Sequence, residues 1–345
     1  MFPGGPNPTQ VQFVPPGKAH NSPLPLVLIH DGGGTTFSYF VLGSLARDVW
    51  AVHNPNYFEG LPWEGGMDEM AKKYLDFIAG DLVGPVMLGG WSLGGYLSLA
   101  MARAIAANPG AYPISVAGLL IIDSPYHIAR SKIAVPTSKP ELTGIPPLVR
   151  KSFSNCDDML QHWDLPLWDT SDSDASTDVK LTVAGETLAV RKGEVLHKPV
   201  GSDSKWQTIA VKTYVKDAQA DISGSVAGGS PPPAVLLRCV KRAKPEPNHV
   251  SSGESQDVAP PCLVDLFRDE KLLGWEARYP EFIKAVIDVD ADHYNLFDRN
   301  NTVGLETVTA QLAKGLEVLD ALHEEKKKGV YRKPVLILPD VLTLK

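Results

Sequence analysis

The sequence predicts a doubly wound α/β fold, a mostly parallel sheet with helices on both faces, and three observations carry that expectation. Short apolar runs recur along the chain, stretches with helical spacing separate them, and the one long break in the alternation reads as an insertion rather than a second set of units. The 345 residues, 43% hydrophobic and 21% charged, allow two domains or one large α/β domain carrying that insertion.

The apolar runs fall at residues 26–29, 49–52, 86–88, 116–122, 234–240 and 282–289, and each suits a strand buried on both faces. Helical periodicity covers 67–78, 95–107 and 305–322, where Leu305, Val308, Leu312, Leu316, Leu319 and Leu322 share one face. After Ile122 no β-α unit follows until Pro231-Pro232-Pro233 introduces the next strand. In between, 147–163 reads as a helix and 171–176 is polar. The stretches 179–183, 187–190 and 208–215 alternate apolar with polar residues, like short exposed strands. The expected organisation is a core from 1–124 and 231–329, a lid at 125–230 lying over the sheet, and a tail at 330–345. Within the tail, 335–338 suits an added strand or a partner-binding segment. Residues 244–258, rich in Pro, Ser, Glu and Asn, read as a loop.

Thirty-three Lys+Arg against forty Asp+Glu leave a net charge of −7, which offers no electrostatic footprint for nucleic acid or an anionic membrane. Cys156, Cys239 and Cys262 form no CxxC pair and no disulfide framework, so a reducing compartment is expected. No run approaches the ~18 apolar residues of a membrane span, and the N-terminus has neither the basic nor the apolar part of a secretory leader. The expectation is a cytoplasmic protein, in which the Asn300-Asn301-Thr302 sequon goes unused. Lys326-Lys327-Lys328, behind Glu324 and Glu325, suits a solvated helix end.

The chemistry concentrates at Gly89-Gly90-Trp91-Ser92-Leu93-Gly94-Gly95, a G-x-S-x-G pattern lying directly between a strand and a helix. A serine on such a turn projects its hydroxyl off the sheet, and glycines two residues to either side let strand and helix approach. The following helix N-terminus supplies positive potential, and the Leu93 backbone N–H is placed to stabilise an oxyanion. A second cluster, His30-Asp31-Gly32-Gly33-Gly34, follows the first strand; Gly32 or its neighbour would give the other oxyanion N–H. Nucleotide binding is excluded there, because no Lys-[Ser/Thr] follows and G-x-G-x-x-G is incomplete.

Serine needs an imidazole base oriented by a carboxylate. Where the order is serine, acid, histidine, the base lies late in the chain, and His293 falls just beyond the last apolar run. His249 and His323 read as surface residues; His30, His53 and His127, at strand ends, are second choices. For the acid, Asp123 closes the run Gly118–Ile122, whereas the strand at 234–240 ends in Lys241-Arg242; Asp265 and Asp269 are the fallback.

Taken together, these residues resemble the α/β-hydrolase thioesterases that end polyketide and nonribosomal peptide synthases. They are most similar to the fungal thioesterase/Claisen-cyclase domains of non-reducing polyketide synthases. The resemblance rests on Asp31–Gly34 with Ser38-Tyr39, Asn54-Pro55, the stretch 84–95, Leu120–Pro125, Leu273-Gly274-Trp275-Glu276 and Asp292-His293-Tyr294. It implies a triad of Ser92, Asp123 and His293, a lid after the acid, and an acyl thioester substrate carried on phosphopantetheine or coenzyme A. The partner would be an acyl-carrier protein or a small acyl substrate, with no other cofactor and no metal. Substrate contacts are expected at Gly33, Trp91, Tyr126, Phe153, Leu160, Trp163 and Tyr294, with Leu148 a further lid candidate. Two departures stand out: no carrier segment precedes the core, as in an excised domain or, as expected here, a free-standing relative, and 178–215 reads as strands where the family's lid is mainly helical. A carboxylesterase or lactonase, a cyclase or isomerase working without an acyl-enzyme, and a silent scaffold are the alternatives.

Overall fold

Nine strands form one sheet in the computed structural model, which describes residues 4–17, 22–166, 168, 179–183, 185–201, 204–211, 230–247, 259–279 and 281–331. In chain order the elements are β1 (Thr9–Gln12), β2 (Leu26–Ile29), α1 (Phe37–Phe40), β3 (Val49–Val52), α2 (Gly66–Asp81), β4 (Gly84–Trp91), α3 (Leu93–Ala107) and β5 (Ile114–Ile122). There follow α4 (Pro147–Leu160), β6 (Val179–Val183), β7 (Glu186–Val190), β8 (Glu194–Lys198), β9 (Gln207–Ala210), β10 (Ala234–Cys239), β11 (Ile283–Val289) and α5 (Thr302–Tyr331). The spatial order is β1-β3-β2-β4-β5-β10-β11-β8-β9, with only β1 and β9 antiparallel to their neighbours.

The six strands expected from apolar runs stand side by side at the centre, because only strands covered on both faces need continuous apolar sequence. Successive residues feed opposite cores. Val27, Ile29, Leu88, Ile121 and Leu236 pack against α2 and α3, while Leu26, Leu28, Met87, Leu120 and Val235 pack against α5. Helix α5 presents Leu305, Val308, Leu312, Leu316 and Leu319 to that second core, as its periodicity predicts. Beneath it Arg47 makes a two-pronged ion pair with Asp320.

The stretch expected to lie over the sheet divides into three parts. Helix α4 covers the carboxyl end of the sheet. Strands β6 and β7 form a hairpin, Val183 facing Glu186 across the turn, and bury Leu181, Val183 and Val190 in the α5 core. The third part corrects the expectation: β8 joins β11 in parallel and β9 closes that edge, so 194–210 belongs to the sheet itself. Strand β8 carries no apolar signature because two of its five residues are His197 and Lys198. They are buried at 5% exposure, and their polarity hides the strand from any apolar pattern. His197 Nε2 meets Asp288 Oδ2 at 2.9 Å, and Arg238 grips both oxygens of the same carboxylate, so one ion cluster spans β8, β11 and β10. Strand β1 and the single turn α1 were also unanticipated. Residues 171–176, 212–215, His249 with most of its loop, and the tail at 332–345 lie outside the described residues. No helix among the described residues is long and apolar enough to cross a membrane.

Candidate active site

The turn between β4 and α3 holds Ser92 at φ 56° and ψ −116°, a backbone region that side chains rarely adopt. Packing over-determines it. The Ser92 N–H donates to Ile122 O at 3.0 Å, its carbonyl accepts from the Ser124 hydroxyl at 2.6 Å, and the Tyr39 hydroxyl takes the Trp91 N–H while donating to Ile29 O. The glycines serve close approach: a Cβ on Gly94 would stand 2.3 Å from Ile29 O, and one on Gly90 would stand 2.7 Å from the Gly94 Cα.

His293, in the loop after β11, brings Nε2 to 3.0 Å from Ser92 Oγ and Nδ1 to 2.8 Å from Asp123 Oδ2. Because a carboxylate only accepts, Nδ1 carries the proton and Nε2 is left to accept from the serine hydroxyl. Asp123 sits beyond the end of β5 with φ 44°, fully buried. It also accepts from the Cys239 N–H at 2.9 Å and from both Nη atoms of Arg268. Burial alone would raise the Asp123 pKa; the His293 hydrogen bond and the Arg268 charge outweigh it and hold the carboxyl well below the usual range. Neither fallback acid touches His293. Asp265 is buried against Arg268 and the Ala243 N–H, and Asp269 pairs with Arg242 at the surface.

The Asp31–Gly34 turn closes with Gly34 N–H to Asp31 O at 3.0 Å, and Gly32 and Leu93 line the same cavity as Ser92 and His293. Helix α4 lies on this turn. Ser152 Oγ donates to Gly32 O at 3.0 Å, and a Cβ on Gly32 would come within 3.2 Å of the Phe153 ring. The Asp31 carboxyl is pushed up to about 6, burial prevailing over the attraction of His293 and the Gly33 N–H.

The cavity, of about 110 Å³, is lined by five of the seven expected contacts: Trp91, Tyr126, Phe153, Leu160 and Tyr294. Gly33 is outside it because Asp31 folds back over that residue, where a Cβ would stand 3.1 Å from Oδ1. Trp163 is one layer behind, stacked on His127 with its carbonyl bonded to His127 Nε2. His127 lines the wall without touching Ser92, and burial lowers its pKa to about 4. His30 is used up between Asp31 O and the Tyr74 hydroxyl, and His53 is bonded through its backbone to Asn7 beneath the sheet's edge loop. Tyr96, Arg130, Cys156 and Phe267 also line the cavity and carried no sequence signal, since none belongs to a motif. Arg130 is ion-paired with Asp157 of α4, and burial pushes the Cys156 thiol up to about 12.

A parallel sheet with a serine on the strand-to-helix turn, an acid after the next strand and a histidine after the last defines an α/β-hydrolase. The Thioesterase domain family model matches residues 24–161. The chain is 41% identical to the probable thioesterase lcsE of Purpureocillium lilacinum over 93% of this chain and 99% of that protein. It is also 41% identical to the probable thioesterase KK1J of Curvularia clavata, over 87% of this chain and 91% of that one. At 28% identity it matches the thioesterase frbE of Dothideomycetidae sp. (strain 11243), over 90% and 97% of the two chains. The chain belongs to the thioesterase family.

Proposed function

We propose that this thioesterase releases or cyclises a polyketide-type acyl chain held as a thioester, through an acyl-Ser92 intermediate, in secondary metabolism. The observation that carries the reading is the hydrogen-bonded series Ser92–His293–Asp123 opening onto the cavity. As Ser92 Oγ attacks the thioester carbonyl, its proton passes to His293 Nε2, and Asp123 stabilises the imidazolium. The Leu93 and Gly32 N–H groups hold the oxyanion. Collapse expels the thiolate, which takes the proton from His293; water then attacks the acyl-serine with His293 again as base, giving the free acid.

The partner is an acyl group on a carrier protein's phosphopantetheine or on coenzyme A, and the reaction needs no cofactor or metal of its own. Kinship to curated proteins over nearly their whole length supports thioester chemistry. Cys156, Cys239 and Cys262 are free thiols, which suits a reducing, cytoplasmic setting. The test is intact-protein mass spectrometry after mixing with a panel of acyl thioesters and oxygen esters. A serine-bound acyl adduct, absent in Ser92→Ala and longest-lived in His293→Ala, is expected with long or aromatic thioesters. Adducts from small oxygen esters alone would make the protein a carboxylesterase. Turnover that survives Ser92→Ala would mean cyclisation or isomerisation without an acyl-enzyme.

A further inference from the structure

Arg268 lies in the loop between β10 and β11, at 4% exposure, and all five of its N–H donors are used. Nη1 binds Asp123 Oδ1 and Cys239 O, Nη2 binds Asp123 Oδ2 and Val264 O, and Nε binds Asp265 Oδ1 at 2.8 Å. Asp265 in turn accepts the Ala243 N–H. The carboxylate that orients His293 is thus gripped from behind by a fork, and a second buried carboxylate fixes the fork. We propose that Arg268 is a positioning residue of the site: it locks Asp123 against His293 and offsets the charge of the carboxylate that His293 faces as it takes the Ser92 proton. The inference rests on the nucleophile and base assigned above.

A serine hydrolase needs its acid ionised and oriented, but a bare buried carboxylate also favours imidazolium and so keeps the base protonated. Two carboxylates face His293 from packed elements, Asp123 from the end of β5 and Asp31 from the turn after β2. On its own loop, Tyr294 stacks edge-on at 4.9 Å, and Asp292 is turned onto the N–H groups of Tyr294 and Asn295. Over the cavity, Arg130 and Asp157 cancel one another as a pair. The Cys239 thiol beside Asp123 is kept protonated by burial. That leaves Arg268 as the cation bonded to the acid that His293 faces.

The experiment reads the pH dependence of Ser92 phosphonylation by diisopropyl fluorophosphate, followed by intact mass, over a range of about pH 5 to 8. In this reaction Ser92 Oγ displaces fluoride at phosphorus and its proton goes to His293, so the pH dependence of the rate reads the charges around the site without needing the natural substrate. Arg268→Gln removes the cation, and its limb should move up by about one unit. Asp265→Asn leaves Asp123 alone to balance the cation, so more of its charge acts on the site, and its limb should move down. Arg268→Lys keeps the charge but not the fork; its limb should stay near wild type while labelling slows about tenfold or more. A purely structural arginine would slow all three without moving the limbs in opposite directions, and that result overturns the proposal. Circular dichroism establishes which variants fold. Should Arg268→Gln fail to fold, an Asp265→Asn limb that does not fall is by itself decisive against the charge effect. Wild-type protein left unlabelled at Ser92 would instead sink the nucleophile assignment, and this inference with it.

Discussion

Asp123 serves two cations, the imidazolium that forms on His293 and the permanent guanidinium of Arg268. Asp123→Asn should therefore fail twice. His293 loses the acceptor that sets its tautomer, for a drop of about 10⁴-fold in kcat, and the buried Arg268 keeps only Asp265 as a counterion, so urea midpoints should fall too. Asp31 acts in the opposite sense on stability. Its pKa is raised from an ordinary carboxylate value to about 6, so its contribution is intact below about pH 4 and is lost as pH rises through 6. Asp31→Asn should remove that slope, gaining on the order of 2 kcal/mol over wild type at pH 7 but nothing at pH 4, as read from urea unfolding at both pH values. The hydrogen-bonded series Ser92–His293–Asp123 was legible in the sequence because each member follows an apolar run or sits in a glycine-bounded turn. Arg268 was not, since 259–279 forms short turns without periodicity and its importance lies wholly in what it touches.

At the scale of elements, the β4–α3 turn is built on contacts that admit no methyl group. Gly94→Ala would press a Cβ to 2.3 Å from Ile29 O and 2.9 Å from His30 O, both backbone atoms. The helix must retreat, so a loss of about 1–3 kcal/mol in stability is expected, with a larger proportional loss of Ser92 acylation because the hydroxyl moves with the helix. Chemical denaturation and fluorophosphonate labelling on the same sample would separate the two. The central strands were readable for the reason that the edge was not: β10 is wholly buried and opens with four apolar residues in a row, whereas β8 buries Lys198 and also His197, whose partner Asp288 lies far along the chain. Helix α4 was readable as a helix, but its bond from Ser152 to the Gly32 carbonyl was not, because nothing in 147–163 points to residue 32.

Across the whole molecule, the Arg238–Asp288–His197 cluster fastens the β8–β9 edge to the central sheet. Burial opposes ionisation of Asp288, but Arg238 and His197 prevail and hold its pKa below the usual range. Asp288→Ala would strand Arg238 without its carboxylate, and a loss of about 3–5 kcal/mol is expected. Hydrogen exchange should rise at 194–198 more than at 26–29, and equal loosening of both would show the edge is not held this way.

The strand order also dictates when the chain becomes an enzyme as it is synthesised. β10 lies between β5 and β11, so until residue 239 has emerged the edge of β5 that carries Asp123 is unpaired. Ser92 and the Asp31–Gly34 turn are complete within the first quarter or so of the sequence order, yet the histidine bonded to Ser92 arrives only with residue 293 and the arginine bonded to Asp123 only with residue 268. A nascent chain or fragment that stops short of β11 therefore carries the proposed nucleophile without the histidine bonded to it, and two fragments divided near residue 230 would have to find each other before either could turn over a substrate.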